Sequence, residues 1–394
     1  MKTEEGLADA LHHYEKEMVH LLRESVMISS GTCHKAGVDA VAELVRSFIA
    51  PMDWTVDVVN QTDFGDVLVI RTKKDFQGKG ILLVGHMDTV FPPDHPFTGF
   101  REDEDCIYGP GVLDMKGGIV IGLFALKALA EEGDLERIPI TFILNSDEEV
   151  GSPVSCDLIV AEAKKNALAF VLECGGLKGQ VVTGRKGRLG VTLEVRGQAG
   201  HAAFTRQGKA SAILELAHKT IQLESLNGMQ EGLTVNVGRI SGGIGPNTVA
   251  DQAVAQTDIR FCRQEDERAF MARLNEILSS SAVSGTRATV QVVSRRPPMT
   301  RSVGQEALYR LVEGVASRRG FAIGEEFRHG CSDANHIAAA GTPVLDGMGP
   351  IGDHDHSDRE FIFRESLLKR SQLLALALRE AWREYDGGRL FLKA

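Results

Sequence analysis

The stretch NSDEEVGS, residues 145–152, sets three carboxylates, Asp147, Glu148 and Glu149, directly behind the apolar run ITFIL. Acidic runs usually coat a solvated face, but carboxylates at the end of a buried strand can hold a cation. Other apolar runs end in the same way. ILLVG leads into His86, with Asp88 two residues on, and that spacing in an extended chain points both side chains to one face. LAFVL leads into Glu173. Asp114 lies in the glycine-rich loop YGPGVLDMKGG (108–118), ahead of a helical run, where an aspartate can be a helix cap or a ligand. GDHDHSDRE (352–360) adds His354 and His356. Three successive strands ending in carboxylate or imidazole are not explained by a solvated face, because ligands of open α/β sheets gather at the strands' carboxyl ends.

Oxygen and imidazole donors without thiolates favour zinc, with manganese or cobalt as substitutes. One zinc takes about four ligands. More than four candidates are present, so two metals sharing a bridging carboxylate fit better. The single-zinc pattern HExxH is absent, as are GxGxxG and GxxxxGK[ST], which leaves KGG at 116–118 without a phosphate-binding frame.

The elements that must position these groups follow from periodicity. WTVDVV, DVLVIRT, ILLVG, ITFIL, LAFVL and PVLD read as short strands, separated by helical segments at 37–50, 117–133 and DLIVAEAKK. That alternation predicts an α/β layer around a mainly parallel sheet. From about 184 the pattern changes to GRLGVTLEVRG, a helix around 209–224, TVNVGRIS, QAVAQTDIRF, a helix from EDERAFMARLNEILSS, and ATVQVV. That β-α-β-β-α-β order predicts a ferredoxin-like module. RRPPMT (295–300) reads as an exit linker, and helical character resumes with a long final helix, RESLLKRSQLLALALREAW. The expected organisation is a discontinuous core domain, 1–182 plus 295–394, with a lid or dimerisation domain, 183–294, inserted between.

Composition excludes several classes. The chain has 394 residues, is 43% hydrophobic, and carries a net charge of -10 with no long basic stretch, so no nucleic-acid partner is expected. No apolar run approaches the ~18 residues of a membrane span. The N-terminal segment, MKTEEGLADALHHYEKEMVHLLRE, reads as an amphipathic helix, not a secretory signal. Six scattered cysteines without a CxxC suit a reduced, cytoplasmic protein.

GHMDTV, YGPGVLDMKGG, NSDEEVGS, LECGG and the late HSD resemble, in order and spacing, the co-catalytic dinuclear zinc peptidases. That family includes aminoacylases, acetylornithine deacetylase, succinyl-diaminopimelate desuccinylase and glutamate carboxypeptidase. The resemblance covers nearly the whole chain and is nearest in look to the glutamate carboxypeptidases, also through the G.SDA stretch around Cys331. It implies a zinc-exopeptidase-like α/β core with a mixed sheet flanked by helices, and an inserted ferredoxin-like lid. It implies that His86 and Glu173 bind one zinc, Glu149 and His356 the other, and that Asp114 bridges them. Asp88 would orient His86, and Glu148 would be the general base. Asp147 has no implied role beyond shaping the loop. His356 precedes Ser357-Asp358 as the family's histidine does; His354 does not. In the inserted domain the resemblance makes His201 an oxyanion-stabilising residue reaching a neighbouring subunit, and Asn247 and Arg260 the groups that grip substrate, Arg260 by its terminal carboxylate; Arg185 and Lys186 are weaker candidates for a substrate side-chain carboxylate. Expected partners are therefore a small amide or peptide with a free carboxylate and a second copy of the chain. The expected reaction is hydrolysis of an amide next to a C-terminal amino acid such as glutamate. The alternative is N-acyl-amino-acid deacylation. A non-catalytic metal-binding homologue is the remote alternative, disfavoured because both Glu148 and Asp114 are present.

Overall fold

The computed structural model describes residues 4–204, 208–321 and 323–390. The chain separates into two compact units: one of residues 1–184, 301–328 and 332–394, the other of 185–300 and 329–331.

The first unit is built on a six-stranded sheet. In spatial order its strands are Thr55–Val59, Val67–Arg71, Ile140–Asn145, Gly80–His86, Asn166–Val171 and Val344–Leu345. These are the six strands predicted for this part of the chain. Val67–Arg71 runs antiparallel to both neighbours, and the remaining pairings are parallel, so the sheet is mixed. The central strands Gly80–His86 and Asn166–Val171 are buried along their whole length, as expected of parallel strands covered on both faces.

Helix Lys116–Glu131 is apolar almost all round and buried from Lys116 to Leu126. It packs against the long helix Arg364–Asp386, which also contacts Val303–Arg318 and Glu4–His13. Gly118 permits the close approach of this helix to the sheet, since a Cβ there would lie 2.1 Å from the Leu172 carbonyl oxygen. That is the physical use of the KGG sequence. Lys116 itself is buried, which pulls its ammonium down to about 7, and it donates from Nζ to the carbonyls of Ser25 and Ile28 at 2.9 and 2.8 Å at the end of helix Glu15–Met27. The predicted N-terminal helix is two helices, Glu4–His13 and Glu15–Met27, broken at Tyr14; residues 1–3 of that segment lie outside the described residues.

The second unit is a four-stranded antiparallel sheet in the order Thr234–Gly242, Gln252–Phe261, Gly187–Arg196, Arg287–Arg296, with helices Ala212–Glu224 and Gln264–Leu278. Its βαββαβ order is the ferredoxin-like one. Period-2 alternation turns Leu189, Val191, Leu193 and Val195 into a core shared with Leu216, Leu223, Phe270 and Leu274 of the helices. The last strand runs through Arg296, into the segment read as a linker. Among the described residues no helix is long and apolar enough to cross a membrane, and all six cysteines are free.

Candidate metal centre

The parallel register sets His86 opposite Asn145, and Glu173 follows the neighbouring strand Asn166–Val171 two residues on. Three adjacent strands therefore deliver their carboxyl ends to one place. Asp114 arrives from the loop ahead of helix Lys116–Glu131, and His356 from the loop after Gly352–Asp353. Asp114 is the hub. Its Oδ1 lies 3.0 Å from His86 Nε2 and its Oδ2 lies 3.1 Å from His356 Nε2. Glu173 Oε1 is 3.7 Å from His86 Nε2, and Glu149 Oε2 is 3.3 Å from His356 Nε2. Two half-sites thus share one carboxylate: His86–Asp114–Glu173 and His356–Asp114–Glu149. The first three form a group whose donor atoms lie within 4.8 Å of one another. Asp355, exposed beside His356, forms a second such group with His356 and Asp114 and was not a candidate from the sequence.

Asp88 is fully buried and faces both ways. His86 Nδ1 lies 2.9 Å from its carbonyl oxygen and 3.3 Å from Oδ1, and its carboxylate accepts the backbone N–H groups of Glu148 and Glu149, both at 3.2 Å. Thr32 Oγ1 donates to the same carboxylate at 2.7 Å. One aspartate therefore aims the imidazole and pins the turn that carries both glutamates. Asp147 shapes that loop: it is buried and accepts the N–H of Val154 at 2.7 Å and the hydroxyl of Ser155. Glu148 is buried beside Glu149 in the short turn Glu148–Val150. His354 stands outside the cluster, its ring 6.0 Å from that of Phe361.

Two positioning carboxylates escaped the sequence reading. Glu360 accepts the N–H groups of Gly111, Leu113 and Asp114 at 2.9, 2.8 and 3.0 Å, fixing the loop around the hub. Asp333 accepts from Asn145 Nδ2 at 2.6 Å and from the Ser152 hydroxyl, bracketing NSDEEVGS at both ends. The only sequence signals are their places in the GDHDHSDRE and SDA stretches. Gly111, at φ +78, supplies a backbone turn in the hub loop that a side chain would strain.

The electrostatics of the cluster suit a bound cation. Burial, with the charge of Asp114 beside it, pushes Glu149 up to about 8 and holds Glu173 well above the usual carboxylate range. Hydrogen bonds to Asp114 and Glu149 push His356 up to about 11. Burial opposes the charged form of His86, but the bonds to Asp114 and Asp88 outweigh it and leave the group raised. Burial would raise Asp114 as well, yet its contacts with His356 and His86 hold it below the usual range. Carboxylates crowded and buried in this way favour a proton or a cation beside them. Glu149 Oε1 is buried without a hydrogen-bond partner, an acceptor left open for a cation. All five donors are oxygen or imidazole nitrogen. The nearby Cys174 keeps its proton, since burial raises its thiol to about 12, and it accepts from Arg328 Nη1 at 3.1 Å. The residues therefore fit a pair of borderline-hard divalent ions.

The remaining candidates belong to the second unit. His201 and Asn247 are brought together and exposed: His201 pairs with Thr248 across a short ladder, and the Ala202 N–H donates to the Asn247 carbonyl at 2.9 Å. Arg260 is held by Asp258 Oδ2 at 2.7 Å and lies 3.7 Å from Cys331 Sγ. Arg185 and Lys186 are buried, Arg185 donating to the Gly330 carbonyl at 3.2 Å.

A family model described as Peptidase family M20/M25/M40 matches residues 82–380. The chain is 28% identical over 381 residues to carboxypeptidase G2 of Pseudomonas sp. (strain RS-16), covering 95% of this chain and 91% of that protein. It is 28% identical over 332 residues to aminoacylase-1 of Sus scrofa, covering 75% and 79%. Among solved structures, the aminopeptidase PepT of Bacillus cereus has a similar fold, with a TM-score of 0.75 at 23% identity over 93% of this chain and 98% of that one.

Proposed function

This chain belongs to peptidase family M20/M25/M40, a family of metal-dependent hydrolases, and from that premise we propose that it is a dinuclear-metal exopeptidase cleaving the amide bond next to a free C-terminal amino acid, glutamate first among the candidates. The observation that carries the reading is the shared carboxylate: Asp114 reaches His86 with one oxygen and His356 with the other, each half-site completed by one glutamate. In this reading His86 and Glu173 hold one ion, Glu149 and His356 the second, and Asp114 both. Zinc suits the donors, with cobalt or manganese as substitutes. When bound, the ions lower the pKa of water and polarise the scissile carbonyl.

The chain's own residues supply the rest. Glu149 is consumed as a ligand. Glu148, next to it on the turn pinned by Asp88, stays free to take a proton from the attacking water and pass it to the leaving amine. Arg260, pre-set by Asp258, pairs with the substrate carboxylate, and Asn247 assists. His201, exposed on its own unit, stabilises the oxyanion in a neighbouring subunit. The inserted unit serves as lid and dimerisation domain. Its edge strand Thr234–Gly242 and the exposed Ile221, Ile240 and Ile244 support a homodimer through that unit. The free cysteines support a reducing, cytoplasmic setting.

The likeness to aminoacylase-1 favours a second reading, removal of an N-acyl group from an amino acid. A hydrolysis panel on zinc-loaded protein separates the two: Xaa-Glu dipeptides, folate-type glutamates, N-acyl-glutamates, N-acetylornithine and N-succinyl-diaminopimelate, each with and without chelator. Chelator-sensitive cleavage confined to C-terminal glutamate establishes the carboxypeptidase. Preference for small acyl groups on varied amino acids moves the protein to the deacylases, and no turnover on any of them rejects both.

A further inference from the structure

Glu149 has a second face. It forms part of the wall of a cavity of about 330 Å3 in the first unit, together with Thr32, Cys33, Val90, Pro92 and Val150. The apolar side chains here are left in water: Val90 is 37% and Val150 51% exposed, and Cys33 is exposed as well. The loop carrying Thr32 and Cys33 is not adventitious. It is fastened to the segment after His86 by the Gly31–Thr89 bridge, by the Thr89 N–H to the Ser30 carbonyl, and by the Thr32 hydroxyl on Asp88. The carboxylate that positions His86 and the glutamate turn thus also positions the cavity wall.

We infer that this cavity is the subsite for the acyl-side group of the substrate, and that it selects an uncharged aliphatic group there. The inference rests on the hydrolase reading above and narrows its substrate class. Among the described residues no lysine or arginine lines the cavity, and its one imidazole, His34, is engaged through Nδ1 with the Ser29 carbonyl at 2.9 Å, so no guanidinium or ammonium is there to pair with a substrate carboxylate. An apolar rim contiguous with a ligand of the metal centre places a side chain or acyl chain one step from the scissile carbonyl. The volume lies at the small end of ligand-sized cavities, about 300–1,000 Å3, which suits one aliphatic chain. Each methylene buried there is worth roughly fourfold in binding.

The test uses one series of N-acyl-glutamates: acetyl, butanoyl, hexanoyl and, as the anionic control, succinyl. In zinc-loaded wild type the hexanoyl-to-acetyl ratio of kcat/KM is expected to exceed about tenfold. Val150→Trp and, two residues from Asp88, Val90→Trp are each expected to collapse that ratio, with metal content measured alongside. The second readout needs no turnover. In a Glu148→Ala background, hexanoyl-glutamate slows alkylation of Cys33 and succinyl-glutamate does not, with Cys33→Ser identifying the labelled thiol. Equal protection by all four compounds, or a ratio untouched by both tryptophans while hydrolysis proceeds, overturns the subsite and leaves the hydrolase reading standing. Selective protection without hydrolysis by wild type keeps the subsite and removes that reading.

Discussion

Adjacent glutamates with separate tasks make the sharpest prediction at the scale of single residues. Glu148→Ala is expected to retain two metal ions per chain, measured by elemental analysis, while kcat falls by about 10²–10⁴. Loss of metal with an unchanged residual rate would show that Glu148 is a ligand instead. The second prediction concerns pH. In the metal-free cluster Glu149 titrates near 8 and His356 near 11, so at pH 7 both carry protons that a divalent ion must displace. Affinity is therefore expected to rise as pH increases from 7 to 9, with proton release visible in calorimetry across buffers of different ionisation heats. A flat profile would contradict the crowding described here. His86, Asp88, Asp114, Glu149 and Glu173 stood out in the sequence as candidates, because each follows a strand or sits in a glycine-rich loop, whereas His356 was separated from His354 only by the family resemblance. Glu360 and Asp333 did not stand out. Their work is to accept backbone N–H groups and amide or hydroxyl donors from segments far away in the chain, and no local pattern encodes such a partner.

Elements position the cluster through close approach rather than through flexible side chains. Gly118 lets helix Lys116–Glu131 press against the Leu172 carbonyl, one residue before Glu173. Gly118→Ala is expected to cost roughly 1–3 kcal/mol by overpacking, read as a lowered Tm, and to weaken metal retention because the displaced backbone carries Glu173, a ligand in the proposed site. A variant with normal Tm and normal metal affinity would show that the contact is not restrictive. The six sheet strands were readable because each is a short apolar run bounded by turn residues. The break at Tyr14 was not, because the apolar spacing continues across it: Leu7, Leu11, Met18 and Leu22 are all buried in the same core. Periodicity reports which residues are inside, and a one-residue interruption of the helix leaves that unchanged.

At the scale of the whole molecule, the second unit presents an unpaired edge strand and apolar side chains at Ile221, Ile240 and Ile244, the last 87% exposed. An edge of that kind invites pairing with a second copy. Ile240→Lys with Ile221→Lys is expected to give a folded monomer in sedimentation and, if His201 serves the neighbouring subunit, one with little activity. Mixing the inactive variants His201→Ala and Glu148→Ala is expected to restore turnover through hybrid dimers. A fully active monomer would assign His201 no such part.

The three N–H groups that Glu360 satisfies belong to residues 246 to 249 positions earlier in the chain. During synthesis, at about 5–20 residues per second, the Asp114 loop waits roughly 12–50 s for the carboxylate that orders it. His356 is equally late. Until then the nascent chain displays Asp114, Glu149 and Glu173 as an acidic cluster without its second imidazole and without a fixed hub. In the proposed site, metal loading therefore waits on residues 356 and 360, and a product truncated before them lacks both the second imidazole and the carboxylate that fixes the hub loop.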